Sequence, residues 1–180
     1  EGLDYLGMLR ALAVNLRSGH SRQGASTITQ QVVKNVLLVP ERTYERKIKE
    51  TILARRLEHE LSKDEILSLY LNQIYLGHGR YGVEEASRYY FGKRVRELDV
   101  AEAATLSGLV ASPERYSPRR DVTLSMQRRH YVLAQMLDKG FITPEVFADA
   151  EQRPLRLAPV SDGESELAPE VVEHVKRLLV

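Results

Sequence analysis

The chain has 180 residues, with 26 Lys or Arg against 25 Asp or Glu and no cysteine. That length suffices for one real core and a single domain, and a chain without cysteine has no disulfide framework and no thiol chemistry. No window approaches the ~18 consecutive apolar residues of a membrane span, and His20, His59, His78, His130 and His174 show no zinc-ligand spacing.

From the start, Leu3, Leu6, Met8, Leu9, Leu12, Ala13 and Leu16 predict a helix over 4–18. It has more apolar side chains than one narrow stripe requires, so it either faces a core or lies on anionic lipid, flanked by Arg10 and Arg17. Residues 18–24 read as a loop beside a cleft. A helix follows over 26–37, with Ser26 as its N-cap and Ile28, Val32 and Val36 as its core stripe. On the remaining arc lie Thr27, Gln30, Gln31, Lys34 and Asn35, an array of donors and acceptors. An ordinary solvated face is the plain alternative. The string Gly-Ala-Ser-Thr-Ile-Thr-Gln-Gln is far less generic, because two Thr and a β-branched Ile are mediocre helix formers.

The next helix is predicted over 42–61, burying Ile48, Ile52 and the row Leu53, Leu57, Leu61. Arg46 and Lys47 precede Glu50 by four and three residues, so both cations flank that carboxylate. Taken alone they are surface salt bridges worth roughly 0.2–0.5 kcal/mol each. The local charge argues for more: between Arg22 and Arg56 eight Lys or Arg meet three acids, on a chain whose net charge is only +1. Cations gathered near a polar helix face suit a pyrophosphate.

Helices are predicted further along at 63–73, 82–91, 99–111, 121–138, 144–152 and 169–179. Their punctuation is Ser62 with Glu65 as a capping box, Gly77 as a C-terminal stop, Asp99 with Glu102, Gly140, and Thr143 with Pro144. Strand-like alternation is confined to short pieces near 154–160, so the fold class is all-α. Residues 1–153 form the domain, and 154–180 read as a linker and the start of a connection onward.

Four segments in order carry a resemblance: Gly24–Gln31, Arg46–Glu50, the stretch Ile66–Gly77, and Leu106–Val110 leading into Ser112–Pro118. Together they resemble the peptidoglycan glycosyltransferases of family 51, as found in class A penicillin-binding proteins. The resemblance implies a lysozyme-like helical fold with a membrane-proximal jaw formed around the opening helix. It also implies an inverting sugar transfer that polymerises lipid II and releases undecaprenyl pyrophosphate. Carried over residue by residue, Glu50 matches the family's second acid. Ser26, Thr27, Gln30, Gln31, Lys34, Asn35, Arg42, Arg46 and Lys47 match its substrate-binding positions. The family's first motif opens with a Glu taken as general base, and Gly2 aligns with that motif's end. No residue here matches the base, and this chain alone is expected to be inactive. The implied partners are lipid II, the growing glycan chain, the outer leaflet of the bacterial cytoplasmic membrane, moenomycin-type inhibitors and a downstream transpeptidase domain, with no nucleic acid. The implied location is the extracytoplasmic face. No cofactor is required by the sequence, and the metal admitted by the resemblance is a divalent cation, magnesium or manganese. Two other classes stay open, a glycan-cleaving lysozyme relative and a non-catalytic scaffold that binds lipid II.

Overall fold

The computed structural model describes residues 26–36 and 44–159. The helices predicted over 4–18 and 169–179, and with them the jaw, lie outside the described residues. Within these, the chain forms α1 (Ile28–Val36), α2 (Tyr44–Glu60), α3 (Lys63–Gln73), α4 (Val83–Phe91), α5 (Val100–Leu109), α6 (Pro113–Tyr116), α7 (Val122–Asp138) and α8 (Pro144–Gln152). A single 3₁₀ turn, Val95–Glu97, precedes α5. Strands are absent among the described residues, where an isolated antiparallel bridge joins Tyr75 to Tyr81. The all-α expectation therefore holds. The chain divides into two compact units, Glu1–Ala86 with Leu109–Glu114, and Ser87–Gly108 with Arg115–Val180.

In the first unit α1 packs against both α2 and α3. It buries Thr29, Gln30, Val32 and Val33, while Ile28 stays 43% exposed. The expected stripe through Ile28 is thus corrected. A helix covered by two neighbours needs a wider buried arc than one i, i+4 row, and that arc is centred on Gln30–Val33. On α2 the Leu53, Leu57, Leu61 row is half-buried as expected. Ile48 and Ile52 are not buried: they are 61% and 51% exposed, and Glu50 and Ala54 take the interior row instead. Periodicity counts an isoleucine as core and a carboxylate as surface, and here the interior row goes to the carboxylate and a small alanine.

α3 starts where the sequence places it. Ser62 Oγ accepts from the Glu65 N–H at 3.3 Å, and the Ser62 N–H donates to the Glu65 carboxylate at 2.8 Å. Ile66 and Tyr70 anchor the helix inward. It stops at Gln73 because Ile74 turns extended, so Gly77 punctuates the following loop rather than the helix. That loop closes through Gly82 N–H to Ile74 O at 2.8 Å, Leu76 N–H to Arg80 O and Arg80 N–H to Gly77 O, both 2.9 Å. Tyr75 and Tyr81 stack across it with ring centres 5.1 Å apart. The Tyr75 hydroxyl donates to Glu114 of α6, a hydrogen bond that pushes the phenol's pKa up.

In the second unit Ala101, Ala104, Leu133 and Ala150 form a core, flanked by Val100, Val132, Met136, Ile142 and Phe147. Its caps follow the sequence: Asp99 Oδ1 accepts from Glu102 N–H at 2.8 Å, and Thr143 Oγ1 accepts from Val146 N–H at 3.4 Å, with Pro144 opening α8. Asp121 caps α7 through the Leu124 N–H at 3.0 Å. Arg129 is buried and donates to Glu151 O near the end of α8 at 3.2 Å. Burial holds its guanidinium pKa below the usual arginine value. The strand-like pieces expected near 154–160 form no strand within 154–159. There Ala158 N–H reaches Tyr90 O at 2.8 Å, and Arg119 Nη2 donates to both Tyr89 O and Ala158 O.

The loop supplies a sharp test. Gly79 and Gly82 both have left-handed φ, +72° and +81°. A Cβ on Gly82 would lie 2.7 Å from Asn72 O, whereas one on Gly79 would meet nothing within 4 Å. Gly79→Ala is expected to cost about 1–2 kcal/mol, the left-handed penalty alone. Gly82→Ala adds a backbone clash and is expected to cost on the order of 3 kcal/mol. Equal losses in chemical denaturation would refute the close approach at Gly82.

Candidate active site

The polar start of α1 is built differently from the sequence expectation. Its cap is Thr27, not Ser26. The Gln30 N–H donates to Thr27 Oγ1 at 3.3 Å, and the Thr27 N–H donates to Gln30 Oε1 at 3.0 Å. This is the reciprocal box of a Thr and a Gln three residues on. Gln31 N–H then reaches Thr27 O at 3.0 Å and begins the helical ladder. Ser26, released from capping, is exposed, and its Oγ accepts from Lys47 Nζ at 3.4 Å.

Lys47 Nζ also forms an ion pair with Glu50 Oε1. The two differ sharply in exposure: the Glu50 side chain is 2% accessible and that of Lys47 43%. The carboxylate is an interior group whose charge is met by a cation at the surface. Such a pair is not a surface salt bridge, since the carboxylate is taken out of water and a buried charge depends on its partners. A second polar link crosses from α1 to α2, where Thr29 Oγ1 donates to Glu58 Oε1 at 2.6 Å. Thr51 Oγ1 donates back to Lys47 O at 3.0 Å within α2. Beside this cation Lys47, Ile48, Thr51 and Ile52 line a largely apolar groove of about 310 Å³.

The structure thus joins Ser26, Lys47 and Glu50, and joins Thr27 to Gln30. Gln30 is fully buried, and its Nε2 is a buried donor that meets no acceptor among the described residues. Gln31 is half-buried, and Lys34 and Asn35 are exposed in the last turn of α1. At 1.5 Å of rise per residue these polar positions extend roughly 12 Å along the helix from Ser26 to Lys34. Arg42 lies outside the described residues, and so does the side chain of Arg46 on α2. Sequence reasoning missed Thr29 and Glu58. Thr29 stood inside the motif, but Glu58 had no signal: it resembles any acid on a charged helix until the two helices cross.

Among the described residues a divalent ion finds no protein cage. No group of three or more His, Asp or Glu residues that could hold a metal occurs among the described residues, and Glu50, a single carboxylate, is already paired with Lys47.

A buried acid, its surface cation and the polar positions of α1 thus lie together in a helical fold. The chain belongs to the transglycosylase family, whose model matches residues 1–137. It is a peptidoglycan glycosyltransferase domain of the kind carried by class A penicillin-binding proteins. It is 51% identical over 154 residues to a penicillin-binding protein 1A of Aquifex aeolicus, covering 86% of this chain and 21% of that protein. The penicillin-binding protein 1A of Escherichia coli is 51% identical over 147 residues, 82% of this chain and 17% of that protein. A putative transglycosylase of Cupriavidus necator is 46% identical over 157 residues, 87% of this chain and 68% of that protein. The crystal structure of penicillin-binding protein 1A from Haemophilus influenzae superposes with a TM-score of 0.55 at 29% identity, over 83% of this chain and 19% of that one. The chain therefore spans about a fifth of the length of the penicillin-binding proteins it matches.

The capping assignment separates two neighbouring hydroxyls. Thr27→Ala removes the cap and is expected to cost about 1 kcal/mol of stability. Ser26→Ala removes an exposed contact to Lys47 and is expected to cost under about 0.5 kcal/mol. The reverse order in urea denaturation would return the cap to Ser26.

Proposed function

We propose that this domain polymerises lipid II into β-1,4-linked glycan strands with release of undecaprenyl pyrophosphate, for bacterial cell-wall synthesis. The observation that carries the reading is the buried Glu50 carboxylate held by Lys47 beneath Ser26. In the proposed reaction the GlcNAc 4-hydroxyl of lipid II attacks the anomeric carbon of the growing strand with inversion. A carboxylate accepts the hydroxyl proton, an oxocarbenium-like state forms, and the pyrophosphate departs with the bonding electrons. Inverting glycosidases use the same two-sided geometry.

Within this scheme the leaving group is already acidic and needs charge stabilisation more than protonation. Lys47 and Lys34, with Arg42 and Arg46 as further candidates, would supply it. Glu50 would fix the Lys47 ammonium in place rather than act on the sugar directly. Ser26, Gln31 and Asn35 would hold sugar hydroxyls and phosphate oxygens, while Thr27 and Gln30 would serve by shaping the helix start. The residues named here are given binding and leaving-group roles, and the proton-accepting carboxylate is left unassigned. The groove beside Lys47 supports an apolar tail next to the pyrophosphate. No described helix is long and apolar enough to cross a membrane. The proposed place of work is the outer leaflet of the cytoplasmic membrane, facing outward, beside a transpeptidase domain further along the parent chain. The described residues build no cage for magnesium or manganese, and no step is assigned to either.

Two measurements test this reading. In the parent protein, Glu50→Gln is expected to lower kcat and kcat/KM together by about 10²-fold, with lipid II affinity nearly unchanged. Unchanged kcat in a normally melting variant would leave Glu50 a structural residue, and strand cleavage without lipid II would favour a lysozyme-like hydrolase.

The second measurement uses the 180-residue chain and a moenomycin-type phosphoglycolipid. Lys47→Ala and Lys34→Ala are each expected to weaken binding about tenfold, as loss of a charge-assisted phosphate contact does. Binding indifferent to both substitutions would remove the anion from this helix face.

A further inference from the structure

In the second unit, Arg115, Tyr116, Arg128 and Tyr131 form an alternating series of cations and rings. The Arg128 guanidinium carbon lies 4.7 Å from the Tyr131 ring centre and 5.4 Å from that of Tyr116. Arg115 lies over the same Tyr116 ring at 5.5 Å. Gly108 of α5 makes room for this arrangement, because a Cβ there would come within 2.9 Å of Arg128 Cγ. A glycine inside a helix costs about 1 kcal/mol relative to alanine, and here it lets the arginine stem lie flat against α5. Tyr131 is 51% exposed and Arg115 is also exposed.

Residues 115–131 hold five arginines and one acid. Arg119 and Arg129 are spent on backbone carbonyls of Tyr89, Ala158 and Glu151. Arg115 and Arg128 make ring contacts but meet no hydrogen-bond acceptor or carboxylate among the described residues, and Arg128 Nε is a buried donor without a partner. The nearest acids in sequence are engaged elsewhere: Glu114 accepts from Tyr75, and Asp121 caps α7. A guanidinium held over rings has less rotamer freedom left to lose, and its planar fork fits a carboxylate in two-point fashion. Tyrosine and arginine are also the residue types that dominate protein interfaces.

We propose that the Arg115–Tyr116–Arg128–Tyr131 stack is a docking surface for a protein partner, which it engages through an acidic segment rich in Asp or Glu. The two arginines receive the carboxylates, and the exposed face of Tyr131 packs against the segment's backbone or an apolar side chain. The reading is independent of the glycosyltransferase site and of its substrate.

The test uses the full 180-residue chain and a fluorescently labelled deca-glutamate peptide, with a lysine peptide of equal length as control. Saturable binding of the glutamate peptide is expected, accompanied by shifts of the Arg115 and Arg128 Nε–H resonances in ¹⁵N spectra. Arg128→Lys keeps the charge and loses the fork, so a drop of about tenfold is expected. Tyr131→Ala, at an exposed position that folding tolerates, is expected to weaken binding to a similar degree. Arg96→Gln, an exposed arginine of the same unit outside the stack, should leave binding unchanged. The proposal is overturned by absence of saturable binding, by equal losses from Arg96→Gln and Arg128→Lys, or by tighter binding of a phosphopeptide or an acidic glycan than of the glutamate peptide.

Discussion

Taking the Glu50 carboxylate out of water on α2 sets the terms for most of what surrounds it. At 2% exposure the group needs a cation close by, and Lys47, one turn earlier, is where the helix provides one. Helical periodicity then allows no freedom. Once Glu50 and Ala54 occupy the interior row, Ile48 and Ile52 must lie outward, and they become the apolar wall of the groove beside Lys47. The same ion pair reaches Ser26, which is available because Thr27 and Gln30 cap α1 between themselves. One buried charge thereby links a cap, a cation and an exposed apolar groove into a single site.

The cost of that arrangement is met locally. Thr29 and Glu58 tie α1 to α2 with a short neutral-to-charged hydrogen bond, which fixes the crossing that brings Ser26 to Lys47. The Gln30 oxygen is committed to the Thr27 N–H, and its buried Nε2 meets no acceptor among the described residues.

Arginine is used in two ways in the second unit. Arg119 and Arg129 behave as structural donors that gather backbone carbonyls of α4, α8 and the 153–159 stretch. The guanidinium groups of Arg115 and Arg128 lie over the rings of Tyr116 and Tyr131. The chemistry of the side chain is identical in both pairs. Burial and the direction of each stem decide whether a guanidinium reaches backbone carbonyls or lies over rings.

Helix positions, caps and class were legible in the sequence because they are local. Ser62 with Glu65, Asp99 with Glu102 and Thr143 with Pro144 act within four residues, and each does what its spacing predicts. The family was legible too, since Ser26–Gln31 and Arg46–Glu50 are strings that packing alone does not select. What the sequence could not reveal is which way each helix turns its faces. Ile28, Ile48 and Ile52 lie outward, and Glu50 and Gln30 inward. The partnership of Thr29 with Glu58 spans 29 residues, and that of Tyr75 with Glu114 spans 39. By itself the sequence determined the described helices and most of their caps, though not the cap of α1 or the end of α3. Only the tertiary structure decided which residues of the site are buried, because burial depends on how helices cross, and a crossing is set by residues far apart in the chain.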